Sequence, residues 1–309
     1  MRKTLIAIAP TLKLTRVTTA FGAVANLWFI ILWARFNPDN ELAPAAINNA
    51  PLLYLLAAGL IAGIGLYAFG TSLNDLLDVH RDRALNKQAS PIVDGSASIE
   101  LAVCLVAATL MLAILGSIAF GTEAILMTLL LAVAILIFNA LGKFIPGIGM
   151  LLLALIYAGH MLIPDLWTRF LLPVWLVMTH ALIVAALAQH LGRRSPPISR
   201  RAAVFASLGW LACTIALFAL AWTRRAPDDG LWPNFVPPTA VLYPLGFVIL
   251  FALMIWRRYK KSGSAPHSAK RSPATAPSGP PSTPAAGSPA QASGPPAPSW
   301  PPSPAPASS

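Results

Sequence analysis

The chain has 309 residues, 56% of them apolar and only 11% charged, with a net charge of +11. Its apolar residues fall in long blocks of about 20, the length a helix needs to cross a bilayer, and this excludes a water-soluble globular domain. The basic excess lies largely at the block ends, where it orients helices, and no basic patch with interleaved aromatics suggests a nucleic-acid partner.

Taken in order, residues up to Thr11 form a short basic and apolar lead-in. Its apolar part, Leu5 to Ala9, is too short for the core of a signal peptide. Eight spans are predicted: about 17–33, 52–73, 101–120, 124–141, 148–163, 171–191, 203–222 and 240–256. A tight Gly-Thr-Glu turn joins the third to the fourth. Beyond Lys261 the chain is Pro, Ala, Ser and Gly with almost no aliphatic residue, a composition that cannot bury a core. The expected division is a transmembrane domain over 1–261 and a disordered cytoplasmic tail over 262–309. Cys104 and Cys213 sit inside apolar spans without metal spacing and read as packing residues.

Lys and Arg set the expected orientation. Arg2, Lys3, Lys13 and Arg16 precede span one; Arg81, Arg83 and Lys87 follow span two; Lys143 follows span four. Arg193, Arg194, Arg200 and Arg201 follow span six, and Arg257, Arg258, Lys260 and Lys261 follow span eight. The alternate links carry few basic residues. Both termini and the link after span two are therefore expected in the cytoplasm, with the protein integral to an inner cell membrane.

The chemistry concentrates at the end of span two, in Asn74-Asp75-Leu76-Leu77-Asp78-Val79-His80-Arg81-Asp82-Arg83. Asp75, Asp78 and Asp82 are spaced three and four apart, so on a helix their carboxylates share one face about 5–6 Å apart. At an effective dielectric near 20 each neighbouring pair repels by roughly 3 kcal/mol. Such a stripe needs cations: basic side chains, metal ions, or both. Hard divalent ions such as Mg²⁺ take a few carboxylate oxygens and complete their shell with water and substrate phosphates. A metal–diphosphate site at a membrane surface is one reading. A solvated helix end, balanced by Arg81, Arg83 and Lys87, is the other.

The ordered pattern Asn74-Asp75-x-x-Asp78-x-x-x-Asp82-Arg83, followed by Asn86-Lys87, Pro91 and Gly95, resembles the first aspartate-rich motif of the UbiA-type membrane prenyltransferases. The family usually has arginine where this chain has Ser90, before the proline. The resemblance implies an all-α, polytopic helix bundle of eight or nine spans, in which cytoplasmic loops after spans two and six meet over a cavity. It implies that Asp75, Asp78 and Asp82 are catalytic metal ligands for Mg²⁺ and that Asn74 orients the diphosphate. The run Phe138-Asn139-Ala140-Leu141-Gly142-Lys143 resembles the family's Tyr-to-Lys segment, with Phe138 in place of tyrosine and Lys143 on the diphosphate. A positive-inside anchor is the alternative role for Lys143.

After span six, where the family often has a second pair of aspartates, this chain reads Gln189-His190-Leu191-Gly192-Arg193-Arg194, with no acid between Asp165 and Asp228. Two expectations follow. In one, Arg193 and Arg194 replace a metal ion and donate to the diphosphate through their planar forks. The activity is then Mg²⁺-dependent transfer of a prenyl group from a prenyl diphosphate to a lipophilic acceptor in the membrane. In the other, ionisation is lost and the chain binds or carries an isoprenoid lipid without reacting it. His160, His180 and His190 lie within spans, and ionisable residues there are candidates for acceptor binding or proton removal.

Overall fold

The structure, a computed structural model, describes residues 11–37, 44–85, 90–191, 197–225 and 230–243, together with 245–246, 249–250, 253–254 and 256–257. The chain divides into two units, Met1–Ala240 and Val241–Ser309. Among the described residues of the first unit there is no strand. Its helices are α1 (Phe21–Phe36), α2 (Ala45–Asn49), α3 (Leu52–Leu77), α4 (Val79–Ala84), α5 (Ile99–Ile118), α6 (Thr122–Ala140), α7 (Pro146–Met161), α8 (Leu172–Leu191) and α9 (Arg200–Arg224). In the second unit, the described residues between 245 and 257 are helical. The stretch 262–309 lies outside the described residues.

Among the described residues, five helices (α3, α5, α6, α8 and α9) are long and apolar enough to cross a membrane, and α1 and α7 are shorter apolar helices. The protein is thus the polytopic helical bundle expected, and the first seven expected spans match α1, α3 and α5 to α9 to within a few residues; part of the eighth, 240–256, lies outside the described residues. The physical signature is an outside as apolar as the inside. Leu126, Leu130 and Val133 on α6 and Leu208, Leu211 and Ile215 on α9 are exposed, a pattern that water penalises and lipid tails accept.

Local sequence fixes the helix ends. Ser98 and Ser199 cap α5 and α9, each hydroxyl accepting the backbone N–H three residues on, from Leu101 and Ala202 at 3.1 Å. Pro146 opens α7, where a missing N–H costs nothing. The α5–α6 hairpin turns on Gly121 at φ 102, a conformation that favours glycine. At the end of α1, Arg35 donates to the carbonyls of Ile47 and Asn48 at the C-terminus of α2, where a cation also meets the negative helix end.

Helix α3 is the centre. Half of its apolar window is buried, against 6% for α9. It meets α5 along a seam of small residues, with Ala58, Ala62 and Gly65 facing Thr109, Ala113 and Gly116. A Cβ on Gly65 would stand 2.5 Å from the backbone nitrogen of Ala113 and 2.9 Å from the carbonyl oxygen of Thr109. Helices in lipid associate by close packing of this kind, because the surrounding tails are as apolar as leucine. Gly65→Val is expected to force α3 and α5 apart at a cost of about 1–3 kcal/mol, read as a fall in melting temperature of nanodisc-embedded protein. An unchanged melting temperature would mean that the seam does not hold the bundle.

The two ends of the bundle differ. At the end opposite the aspartates, Trp167 Nε1 donates to Glu123 Oε2 at 2.6 Å, and Arg224 lies over the Trp167 ring while donating to the Leu166 carbonyl at 2.8 Å. This ties α6, the 162–171 link and α9 together. The aspartate end carries a separate small core: Leu14, Val79, Ile92, Ala97 and Ala102, with Leu76 and Leu105 against it. That core joins the N-terminal segment, α4, the link after it and α5, and so gives the acidic stretch a fixed floor.

Candidate functional site

Helix α3 stops at Leu77, Asp78 stands at the junction with φ −85° and ψ −2°, and α4 resumes at Val79. Backbone bonds from Asp78 N to Asn74 O (3.0 Å) and from Asp82 N to Asp78 O (2.8 Å) carry the helical register across the break. Leu76 and Val79 turn into the small core. Asp75 and Asp82 are buried, each 4% exposed. Burial of this degree rules out a merely solvated helix end, since a buried carboxylate requires compensation.

The compensation comes from basic side chains. Lys143 Nζ lies 2.8 Å from Asp78 Oδ1 and donates to Asn74 Oδ1 at 3.1 Å. Both members of the ion pair are largely buried, with side-chain exposures of 14% and 13%. Asn74 in turn donates to Asp75 Oδ1 at 3.3 Å. Arg16 Nη2 meets the same Oδ1 at 3.0 Å, from a side chain that is half exposed. Asp75 and Asp78 thus each have a cation in place.

Arg16 was taken from the sequence as an anchor for span one; the structure makes it part of the site. It is the one non-glycine residue among those described with positive φ (46°). The left-handed conformation costs an L-residue roughly 1–2 kcal/mol, so the surroundings must hold it there. They do. Leu14 is fully buried, Thr71 Oγ1 donates to the Thr15 carbonyl at 2.9 Å, and Thr19 Oγ1 and the Tyr67 hydroxyl are 2.8 Å apart. Tyr67, Thr71, Asn74, Asp75 and Asp78 lie on one face of α3. The N-terminal segment is thus stitched along the polar stripe that ends in the carboxylates. Strain held at a cluster of charges is a pointer to function. No local pattern in the sequence announces the αL residue, and Arg16 is 59 positions from Asp75.

Lys143 is presented by the turn Gly142–Phe144, directly after α6. Asn139 Nδ2 donates to Ile135 O at 3.0 Å and to Gly70 O at 3.3 Å, which registers the end of α6 against α3. From below, Gly149 of α7 packs onto the turn, so close that a Cβ there would overlap the Gly142 carbonyl and touch Lys143 Cα at 3.4 Å. At the rim, Arg81 and Lys143 both approach the Phe144 ring, at 5.5 and 5.4 Å from its centroid. Lys143 thus contacts Asp78, Asn74 and the Phe144 ring, besides carrying a charge at the span end.

The link after α4 is held by its own hydrogen bonds between residues 90 and 97. Ser90 O accepts from Val93 N and Asp94 N, and Pro91 O accepts from Ala97 N. Hydrogen bonds from the side chain and then the backbone of Ser96 hold the Asp94 carboxyl below its usual range. Gly95 has φ 77° and open space around it, so conformation rather than room demands glycine. Asn86, Lys87, Arg193 and Arg194 lie outside the described residues. His180 and His190 are exposed on α8, whereas His160 is buried on α7.

The donor chemistry suits Mg²⁺. Asp75, Asp78 and the Asn74 carbonyl are hard oxygens at one helix end, and Mg²⁺ uses only one or two carboxylates before turning to water and substrate phosphates. A preassembled three-carboxylate cage is a different matter. Among the described residues, no group of three or more His, Cys, Asp and Glu side chains is placed to hold an ion. Asp75 is paired with Arg16 and Asp78 with Lys143.

No family model and no curated protein matches the chain. Among solved structures, it is similar to a UbiA homolog from Archaeoglobus fulgidus bound to GPP and Mg²⁺, at 19% identity and a TM-score of 0.33, covering 77% of this chain and 95% of that one. The same homolog bound to DMAPP and Mg²⁺ matches at 17% identity and a TM-score of 0.33, covering 77% of this chain and 94% of that one. Overlap at this level does not assign fold or chemistry, which rest on the helices and ion pairs themselves.

Proposed function

We propose that the chain is a membrane-embedded prenyltransferase that binds a prenyl diphosphate, with Mg²⁺, at the aspartate end of its bundle and transfers the prenyl group to a lipophilic acceptor in the membrane. The observation that carries this reading is the convergence of Lys143 on Asp78 and on Asn74, the latter 69 positions away in the chain. It joins the resemblance to the first aspartate-rich motif with the resemblance around Lys143 at one place.

In this reading Asp75 and Asp78 would hold the metal, with water and diphosphate oxygens completing its shell and Asp82 buried beside them, and Asn74, Lys143 and Arg16 face the diphosphate, with Arg193 and Arg194 from the second loop. Bound Mg²⁺ supplies Lewis-acid charge to the departing diphosphate. Lys143 donates as a compact point charge and the arginines as planar forks, both stabilising negative charge that grows as the prenyl–oxygen bond breaks. The prenyl chain lies among the apolar spans, whose dryness keeps water from the allylic cation. The Lys and Arg distribution puts the aspartate end and both termini in the cytoplasm, with residues 1–261 as the membrane domain and 262–309 as a tail.

The test is Mg²⁺-dependent release of diphosphate from a panel of prenyl diphosphates by purified protein in nanodiscs, with membrane lipids as the acceptor pool. Release that stops on chelation of the metal is expected. Metal-dependent binding without release would instead identify an isoprenoid-lipid carrier.

A further inference from the structure

We propose that Arg16 and Lys143 are resident counter-ions that exchange partners: each holds a carboxylate while the site is empty and turns to the diphosphate when the carboxylates bind metal. Metal and diphosphate then bind well only together. The inference rests on the diphosphate reading above and adds to it an order of events.

Three observations carry it. First, the oxygens best suited to a divalent ion are already engaged: Arg16 is 3.0 Å from Asp75 Oδ1, and Lys143 is 2.8 Å from Asp78 Oδ1 and 3.1 Å from Asn74 Oδ1. A divalent ion arriving alone would meet two positive groups at contact distance from its ligands, and like charges so placed repel strongly in a partly dry site. Second, the cations and the acids belong to different elements. Arg16 comes from the segment before α1 and Lys143 from the Gly142–Phe144 turn, while Asn74, Asp75 and Asp78 end α3. The cations can swing without moving the central helix. Third, in the Arg16–Asp75 pair the exposures are unequal in the way an exchange needs. The Arg16 side chain is 51% exposed and Asp75 only 6%, so the guanidinium sits at the mouth, where a diphosphate would arrive, and the carboxylate stays inside.

An incoming diphosphate offers both cations a better partner, since guanidinium and ammonium groups bond phosphate oxygens strongly. Their departure uncovers the carboxylates for metal. By linkage, each ligand must then raise the affinity for the other by the same factor.

The test uses the full chain in neutral-lipid nanodiscs and Mn²⁺ as a paramagnetic stand-in for Mg²⁺, with bound metal counted on the protein after free ligand is removed. Without any diphosphate, Arg16→Gln and Lys143→Gln are expected to bind Mn²⁺ about tenfold more tightly than the wild type. With a prenyl thiodiphosphate, the wild type is expected to gain Mn²⁺ affinity, the two variants to lose most of that gain, and Arg16→Lys to keep it in part. The variants act on different carboxylates, so one that fails to fold leaves the other informative. If both bind Mn²⁺ alone no more tightly than wild type, while the wild type still takes up Mn²⁺ with thiodiphosphate, the exchange is overturned and the diphosphate site stands. If no form takes up Mn²⁺ even with thiodiphosphate, both are overturned.

Discussion

Asp78→Asn is expected to lower Mg²⁺-dependent diphosphate release at least about 100-fold and, at the same time, to destabilise the bundle. The second effect follows from Lys143, whose ammonium is largely buried and pairs with Asp78 at 2.8 Å. Removing one member of a buried pair leaves an uncompensated charge and costs about 3–5 kcal/mol. Lys143→Gln should cost a similar amount for the mirror-image reason. The double variant Asp78→Asn/Lys143→Gln removes both charges and should recover most of the stability, because a buried pair replaced as a unit is often neutral. Catalysis and structure separate here. If the pair exists only to hold α3 to the Gly142–Phe144 turn, activity returns along with stability in the double variant. The prenyl-diphosphate reading predicts a stable double variant with no recovery of release. Melting temperature and diphosphate release measured on the same nanodisc samples decide between them.

Gly149→Ala should cut release by about 10- to 100-fold without touching any charged group. The added Cβ would meet the carbonyl of Gly142 and crowd Lys143 Cα. Neither neighbour is a flexible side-chain tip, so the whole turn must lift off α7. A shift of about 1 Å in a catalytic group carries a penalty of this order. The accompanying loss of stability should be smaller than for the Asp78 variant, since no buried charge is stranded. The readout is kcat against melting temperature. A Gly149→Ala protein of wild-type activity would mean that the exact placement of Lys143 does not matter. An intermediate case is Gly95→Ala, where positive φ alone is at stake and about 1 kcal/mol is expected; its melting temperature should fall by only a few degrees, with release largely preserved.

How much was legible in advance depended on the range of the interaction. Span positions were readable because twenty apolar residues in a row leave the backbone no choice but a helix in lipid. The Asp75, Asp78 and Asp82 stripe was readable because helical spacing is a local property, and the register indeed survives the break at Asp78. Which cations would answer it was not. Arg81 and Arg83, nearest in sequence, are exposed, while the recorded ion pairs reach to Arg16 and Lys143, on other elements. Lys143 was visible only through its resemblance to a known segment. Arg16 looked like one more orienting charge, because neither its αL backbone nor the Thr19–Tyr67 and Thr15–Thr71 contacts that hold it have a sequence signature. Gly149 was equally silent: a close backbone approach shows only when the two segments are placed together.

The central claim is that the aspartate end binds a prenyl diphosphate through metal and through Lys143. Its most direct test is equilibrium binding of a radiolabelled prenyl thiodiphosphate to the nanodisc protein, with and without Mg²⁺, in wild type and in Asp75→Asn/Asp78→Asn. Saturable binding that needs Mg²⁺, is displaced by inorganic diphosphate and vanishes in the double variant is the predicted result. Binding that ignores Mg²⁺ and survives loss of both carboxylates would contradict it, and would leave the ion pairs at the end of α3 as fastenings of the bundle alone.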